Sequence, residues 1–266
     1  ILQFQKLTPD AMLVGAFETA FHQTIPLERR IYGIPWEWYE EYGIQRLGYH
    51  GASHSYVAET LTDLYGSTGK AISCHLGGSG SLCAIDDGKS VDTSFGISLQ
   101  VGVIQSNRCG DIDPFIVPFL QKEGLSLDQV LDGLTKRGGL LGISGVSNDL
   151  RDVQEAADAG NERARLAIDV FCNGIVRHIG AYYAELGGLD QLVLTGGIGE
   201  NSDLVRSRVC AQIRHLGVEL DEEKNSGCRE GTISSAASAV RVSVIPANEE
   251  LGVARQTYGY IEKMEG

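Results

Sequence analysis

Basic residues are scarce in this chain: 22 Lys and Arg stand against 35 Asp and Glu, a formal net charge of -13. A field of that sign repels phosphodiester backbones and anionic bilayers, which argues against nucleic acid and membrane surfaces as partners. An anionic small-molecule substrate would have to be held by a few local Arg, Lys or backbone N–H groups. No apolar run approaches the ~20 residues a spanning helix requires, and no signal peptide opens the chain. The six cysteines, at positions 74, 83, 109, 172, 210 and 228, form no C-x-x-C pair. Several lie inside apolar strand or helix patterns, where cysteine acts as a small hydrophobe, so we expect reduced thiols and a cytoplasmic protein. An initiator Met is also missing. ILQFQKLTPDAMLVGAFETAFH reads as the middle of a domain, and the expectation is a fragment.

What is present is an ordinary globular composition, 42% hydrophobic and 21% charged over 266 residues, enough for one large domain or one domain plus part of another. No internal repeat or low-complexity segment is visible. MLVGAFET is a candidate strand, and residues 26 to 50 read as a loop-rich connection. Its Trp36, Trp38, Tyr39 and Tyr42 suit either ordinary packing or a substrate-facing wall. HSYVAETLTDLYG reads as a short helix with Ser53 as a possible cap. KAISCHL, SLCAIDD and SVDTS alternate like strands around GGSGS and Asp87-Gly88, which predicts a three-stranded antiparallel meander. DPFIVPFLQKEGLSLDQVLDGLTK predicts helices, GGLLGISG a loop, and SNDLRDVQEAADAG a helix behind a Ser147/Asn148 cap.

The longest helix is expected from about Asn161 to Leu186, with Leu166, Val170, Ile175, Ile179 and Leu186 on one face and a stop at Gly187-Gly188. Then follow the strand QLVLTGG, the helix DLVRSRVCAQIRHLG with Asn201 or Ser202 as cap, the strand RVSVIPA, and the helix NEELGVARQTYGYIEK. A meander followed by alternating helices and strands is the order of one half of a ribonuclease-H-like domain. The expected fold class is therefore α/β, a mixed sheet flanked by helices.

Five clusters carry candidate chemistry. In QLVLTGGIGENS a buried strand enters Gly196, Gly197 and Gly199, which suits either a tight strand-to-helix turn or close backbone approach to a nucleotide. The glycine spacing is not that of the dinucleotide fingerprint. HLGGSGS can form a nest of N–H groups for an anion, or a plain hairpin turn, and it lacks the Lys of a Walker loop. In GYHGASH, His50 and His54 have no third ligand nearby, which favours hydrogen-bond donors over a zinc site. In SNRCGDIDP, Arg108 suits a phosphate or carboxylate, or an ion pair with Asp111 or Asp113. In PANEE, Asn248, Glu249 and Glu250 suit a helix N-terminus or a largely hydrated Mg2+.

Together with FETAFHQTIP, YGIPWEWYEEYGI and LLGISGVSNDLRD, these segments resemble, in order, the acetate kinase family, which includes propionate and butyrate kinases. The resemblance runs from about residue 15 onward. It implies the acetate and sugar kinase/actin superfamily fold, with two ribonuclease-H-like domains and a homodimer in which ATP and a short-chain carboxylate meet in a cleft. Residues 1–20 would then be a remnant of the first domain, 21–249 the nucleotide-binding second domain, and 250–266 a helix returning toward the first. The implied reaction is reversible Mg2+-dependent transfer of phosphate from ATP to acetate or propionate. His50 resembles the histidine that contacts the transferring phosphoryl group and Arg108 the arginine that neutralises it. His75, Gly77, Gly78, Ser79 and Gly80 match the phosphate loop, and Gly196, Gly197, Ile198, Gly199 and Asn201 the adenosine loop. Asp111 matches a further nucleotide-site position, and Glu249 and Glu18 the acids associated with magnesium.

Three positions depart from the family pattern. Glu18 stands where Asp is usual, Gly78 where Asn is usual, and Ser106-Asn107 where Gly-Thr is usual. A non-catalytic nucleotide-binding relative is the competing reading, and a sugar kinase of the same superfamily is a third, without a sugar-kinase motif to support it.

Overall fold

The structure is a computed structural model and describes residues 1–265. Helices α1 (Leu2–Leu7), α2 (Leu27–Arg30), α3 (Trp36–Tyr42) and α4 (Gly51–Tyr65) precede the meander of β1 (Lys70–Leu76), β2 (Gly80–Asp86) and β3 (Lys89–Thr93). Five helices follow: α5 (Ile116–Lys122), α6 (Leu127–Lys136), α7 (Gly139–Ser144), α8 (Leu150–Asp158) and α9 (Glu162–Leu186). The chain ends with β4 (Gln191–Thr195), α10 (Gly196–Asn201), α11 (Asp203–Gln212), α12 (Glu222–Asn225), β5 (Gly231–Thr232), β6 (Arg241–Val244) and α13 (Glu249–Glu265). The strands form one mixed sheet in the order β3-β2-β1-β4-β6-β5. The meander is antiparallel, and β1, β4 and β6 run parallel.

Side chains alternate across a strand, so each face of β1 carries its own set. Ile72, Cys74 and Leu76 join Leu192 and Leu194 of β4 under Phe171, Ile175 and Ile179 of α9 and Val205 and Val209 of α11. On the other face, Ala71, Cys83, Ile85 and Val193 meet Val57, Ala58 and Leu61 of α4. The same period carries Ser73, His75 and Ser81 to the α4 side, where all three side chains hydrogen-bond to residues of α4 or its cap. Strand β4 is buried along its whole length, as a parallel strand covered on both faces must be.

The meander, the Asp87-Gly88 hairpin (φ 45° and 78°), the long helix behind its Asn161 cap and the two later strands match expectation. Several local details do not. MLVGAFET is no strand: Met12 and Phe17 are exposed, and β3, the nearby sheet edge, pairs only with β2. GGLLGISG is helical as α7, because the amides of Leu140 and Leu141 donate to the carbonyls of Gln105 and Ser106 and Leu140 is fully buried. That anchoring outweighs the low helix propensity of glycine. The cap of α4 is His50 rather than Ser53, and that of α8 is Asp149 rather than Ser147 or Asn148.

On α9 the buried face is Ala164, Ala167, Ile168, Phe171, Cys172, Ile175, Ile179, Tyr182 and Leu186, while Leu166 is 53% exposed and Val170 only half-buried. The connection at 26–50 contains two short helices, and Trp36, Trp38 and Tyr42 of α3 stay largely exposed instead of packing. All six cysteines are free. Among the described residues, no helix is long and apolar enough to cross a membrane.

Phe171 is 1% exposed at the centre of the larger cluster. Phe171→Ala is expected to lower unfolding free energy by about 3–5 kcal/mol in urea titrations while the far-ultraviolet dichroism of the folded state stays unchanged.

Candidate active site

Strands β1 and β4 are in register from Ala71↔Gln191 to His75↔Thr195, so they end at the same level and the turns that follow them lie side by side. A Cβ on Gly77 would stand 3.9 Å from the amide nitrogen of Gly197. Gly196 has φ +76°, and a Cβ there would approach the carbonyl oxygen of Leu76 to 2.8 Å. Only glycine fits that turn without strain. Gly197 has open space, and Gly199 packs against the backbone of Leu194. GGIGEN is thus itself a turn of helix, α10, and the next helix α11 starts behind Ser202, whose hydroxyl accepts from Val205 N.

The carboxyl-terminal end of α10 is fixed by Arg206. This fully buried guanidinium donates to the carbonyls of Gly199 and Glu200, to the Asn225 side chain and to Asp203.

The two turns line one side of a cleft of about 630 Å³. Gly77, Gly78, Gly197, Ile198 and Asn201 face it, as do Ser106 and the run from Asn148 to Arg151 at the start of α8. In the sequence, SNDLR carried the signal of a helix cap and a place in the family resemblance, and nothing in its pattern marked it as a wall of this cleft. Gly78 has ordinary backbone geometry, and a side chain there would meet first the Ser106 hydroxyl, at 3.6 Å from its Cβ. Two of the departures from the family pattern therefore adjoin each other.

Beside the cleft lies a histidine cluster. His50 caps α4 with φ 59°, its amide-linked neighbour Gly51 donating to the carbonyl of Glu18 at 2.9 Å. The His50 ring stacks on His75 with centroids 4.1 Å apart. His50 Nδ1 and His54 Nε2 share the Ser81 hydroxyl, both at 2.9 Å, and His54 Nδ1 meets Ser73 Oγ at 2.9 Å. Both nitrogens of His54 are thus engaged by serines, which leaves it no lone pair directed at a metal. His75 Nδ1 lies 2.8 Å from Ser53 Oγ, and His22 is held between Ser90 Oγ and the Tyr49 carbonyl. Burial pushes His22 and His75 down to about 4. Burial, followed by the charges of His75, His22 and Arg108, pushes His50 down to about 3. His54, fully buried, is also held well below its ordinary value. The cluster is neutral at physiological pH.

Arg108 donates from Nη1 to Ser79 Oγ at 3.2 Å and Gln105 Oε1 at 3.0 Å, and among the described residues it has no carboxylate partner. The acids that follow it are occupied elsewhere. Asp111 accepts from Gly102 N at 2.8 Å and faces His178 at 3.7 Å, and Asp113 caps Phe115 N. Asp111 is therefore bound up in its own loop and is not among the residues that line the cleft. Glu249 opens α13 with its Oε1 3.9 Å from His75 Nδ1. Burial raises its carboxyl, and the charge of Glu18 raises it further, so the two acids are electrostatic neighbours. Gly80 begins β2 opposite Leu76.

The site thus offers adjacent glycine turns, a guanidinium tethered by Ser79 and Gln105, neutral imidazoles and two neighbouring acids. A model of the acetokinase family matches residues 1–255. The chain is 50% identical over 258 residues to an acetate kinase of Carboxydothermus hydrogenoformans, covering 95% of this chain and 65% of that protein. It is 51% identical over 257 residues to a propionate kinase of Citrobacter rodentium, covering 95% of this chain and 63% of that one. The crystal structure of Porphyromonas gingivalis acetate kinase superposes with a TM-score of 0.94 at 38% identity, covering 98% of this chain and 67% of that structure. A propionate kinase structure from Francisella tularensis gives 0.90 at 38% identity, covering 95% of this chain and 66% of that one. The chain spans about 65% of the length of the first curated relative.

Gly196→Ala is expected to lower stability by about 1–3 kcal/mol, because a side chain at positive φ is strained and its Cβ meets β1. Gly197→Ala, with open space and ordinary φ, is expected to leave the urea midpoint close to wild type.

The histidines set a second expectation. An unfolded chain protonates them near pH ~6.5, while the folded cluster stays neutral, so their contribution is intact above that pH and is lost as pH falls toward about 4. Each histidine contributes up to ~1.4 kcal/mol per pH unit in that window. Urea midpoints should therefore fall between about pH 7 and about pH 5, and a rising midpoint contradicts the assignment.

Proposed function

The chain belongs to the acetokinase family, and we propose that the intact protein transfers the γ-phosphoryl group of ATP to a short-chain carboxylate, acetate or propionate, reversibly. A carboxylate oxygen forms the new P–O bond, the bond between the γ-phosphorus and the β,γ-bridging oxygen breaks, and ADP leaves. The observation that carries this reading is Arg108, which is tethered by Ser79 and Gln105 beside the phosphate-type turn with no carboxylate partner among the described residues. A guanidinium in that state can neutralise a phosphoryl group or an acid substrate bidentately. In-line transfer asks the protein mainly for positioning and charge neutralisation.

In this reading His50 donates to the transferring group, backbone amides of Gly77 to Gly80 with His75 and Ser79 cradle phosphates, and Gly196 to Gly199 with Asn201 receive the adenosine end. Magnesium fits the acids present: Glu249 is destabilised as an anion by burial and by Glu18, which a cation would relieve. Mg2+ suits a site of one or two carboxylates completed by water and substrate phosphate. Glu18 and Glu249 would hold it, and its chemistry there would be to neutralise charge on the phosphates.

Residues 1–20 are read as a remnant of a first domain, 21–249 as the nucleotide-binding second domain and 250–266 as a helix returning toward the first. The exposure of Leu2, Phe4, Leu7 and Phe17 supports a covering partner for the first segment. A homodimer and a cytoplasmic location complete the reading, the dimer supported by the exposed aromatics of α3.

The intact protein with ATP, Mg2+ and acetate or propionate is expected to yield acyl phosphate detectable as the hydroxamate. Arg108→Ala should lose on the order of 100-fold or more in turnover. A protein that binds ATP yet phosphorylates no short carboxylate would be a binding relative, and the reading would be wrong.

A further inference from the structure

The fold places four histidines in contact with four buried serines, and the protons of that cluster can be assigned from which hydroxyls have somewhere to donate. The Ser81 hydroxyl has one proton and two imidazole neighbours, His50 Nδ1 and His54 Nε2. It can donate to one and accept from the other. If it donated to His54, then His54 would carry its proton on Nδ1 and donate to Ser73 Oγ. The Ser73 hydroxyl, fully buried, would then keep a proton with no acceptor, because His54 is the one partner it has among the described residues. An unsatisfied buried donor is the costlier arrangement. In the opposite direction every buried proton is used: Ser73 donates to His54 Nδ1, His54 Nε2–H donates to Ser81, and Ser81 donates to His50 Nδ1.

We propose that Ser73, His54 and Ser81 are positioning residues that form a one-way hydrogen-bond relay and fix His50 in the tautomer with its proton on Nε2. That nitrogen has no protein partner among the described residues. The same reasoning applies at His75, whose Nδ1 is the one acceptor for the buried Ser53 hydroxyl among the described residues, so the stacked pair presents two Nε2–H donors. The strained φ of His50 and the ring stacking keep this imidazole from swinging out of line. Burial keeps it neutral, which is what gives it a tautomer to fix. Partners that orient metal-bound imidazoles are worth about 10- to 100-fold, and an effect of the same order is expected for His50. The inference rests on the proposed phosphoryl transfer only for the use to which the Nε2 proton is put.

The test is a long-range 1H–15N correlation spectrum of the chain labelled with 15N-histidine near neutral pH, with His50→Gln used to assign the His50 signals. His22 is the internal reference, since the Tyr49 carbonyl already requires its proton on Nε2. Wild-type His50 is expected to show an unprotonated Nδ1 and a protonated Nε2. A protonated Nδ1 overturns the proposal without any variant, so it stays falsifiable even if Ser81→Ala fails to fold. In Ser81→Ala the His50 signals should become a mixture of tautomers while those of His22 stay put, and Ser81→Thr should restore the single tautomer. Unchanged His50 signals in Ser81→Ala also overturn it. In the intact protein, Ser81→Ala should lower kcat about 10- to 100-fold with little change in KM for ATP, and Ser81→Thr should recover it. A protein without kinase activity but with the expected spectrum refutes the proposed function alone. Kinase activity with His50 protonated on Nδ1 refutes the relay alone.

Discussion

The parallel pairing of β1 with β4 is the constraint on which the rest of the site depends. Because the two strands end in register, the glycine turn after β1 and the glycine turn after β4 open into one cleft. Gly196 can make that turn only because nothing projects from it toward Leu76, and Arg206 then pins the far end of the short helix by its carbonyls. A one-residue slip in the pairing would also turn Ser73 and His75 away from α4, since the strand period is two. Cleft and histidine cluster are therefore consequences of the same register.

Much of this was legible in the sequence, for reasons that differ by element. Strand β4 showed as a continuous apolar run, the β2–β3 hairpin through Asp87-Gly88, and α9 through its length and its Asn161 and Gly187 ends. Local pattern was insufficient where tertiary contacts decide. Helix α7 exists because carbonyls of residues 105 and 106 receive its first amides. MLVGAFET has strand-like composition, yet it does not pair with the sheet and leaves the outer edge of β3 open. The true face of α9 runs through Ala164, Ala167 and Phe171 instead of Leu166, because that side of the helix is covered by α7 and α8 as well as by the sheet. In the site, glycine turns and Arg108 stood out in the sequence. The cleft wall at Asn148 to Arg151 and the serine partners of the histidines did not, since a serine in a strand carries no mark of what it faces.

The electrostatics are local. In a chain of net charge -13, an anionic ligand can be held only where the general field is overcome, and the groups available for that in the proposed site are backbone amides, Arg108 and neutral imidazoles. Neutral histidines avoid a cluster of buried positive charges, which would repel one another, while still donating hydrogen bonds. Glu18 raises the carboxyl of Glu249 beyond what burial does, and in the proposed reading a cation between them would relieve that repulsion. Gly78 and Ser106 adjoin at the cleft, the Ser106 hydroxyl being the first group a side chain at position 78 would meet.

The central claim is that the two glycine turns and Arg108 form a single nucleotide site. A crystal structure of the chain grown with ADP and Mg2+ tests it most directly. The account predicts adenosine against Gly196 to Asn201, with the diphosphate within hydrogen-bond distance of the amides of Gly77 to Ser79 and directed toward Arg108. Nucleotide bound away from both turns, or seated there with its phosphates pointing away from Arg108, would contradict it.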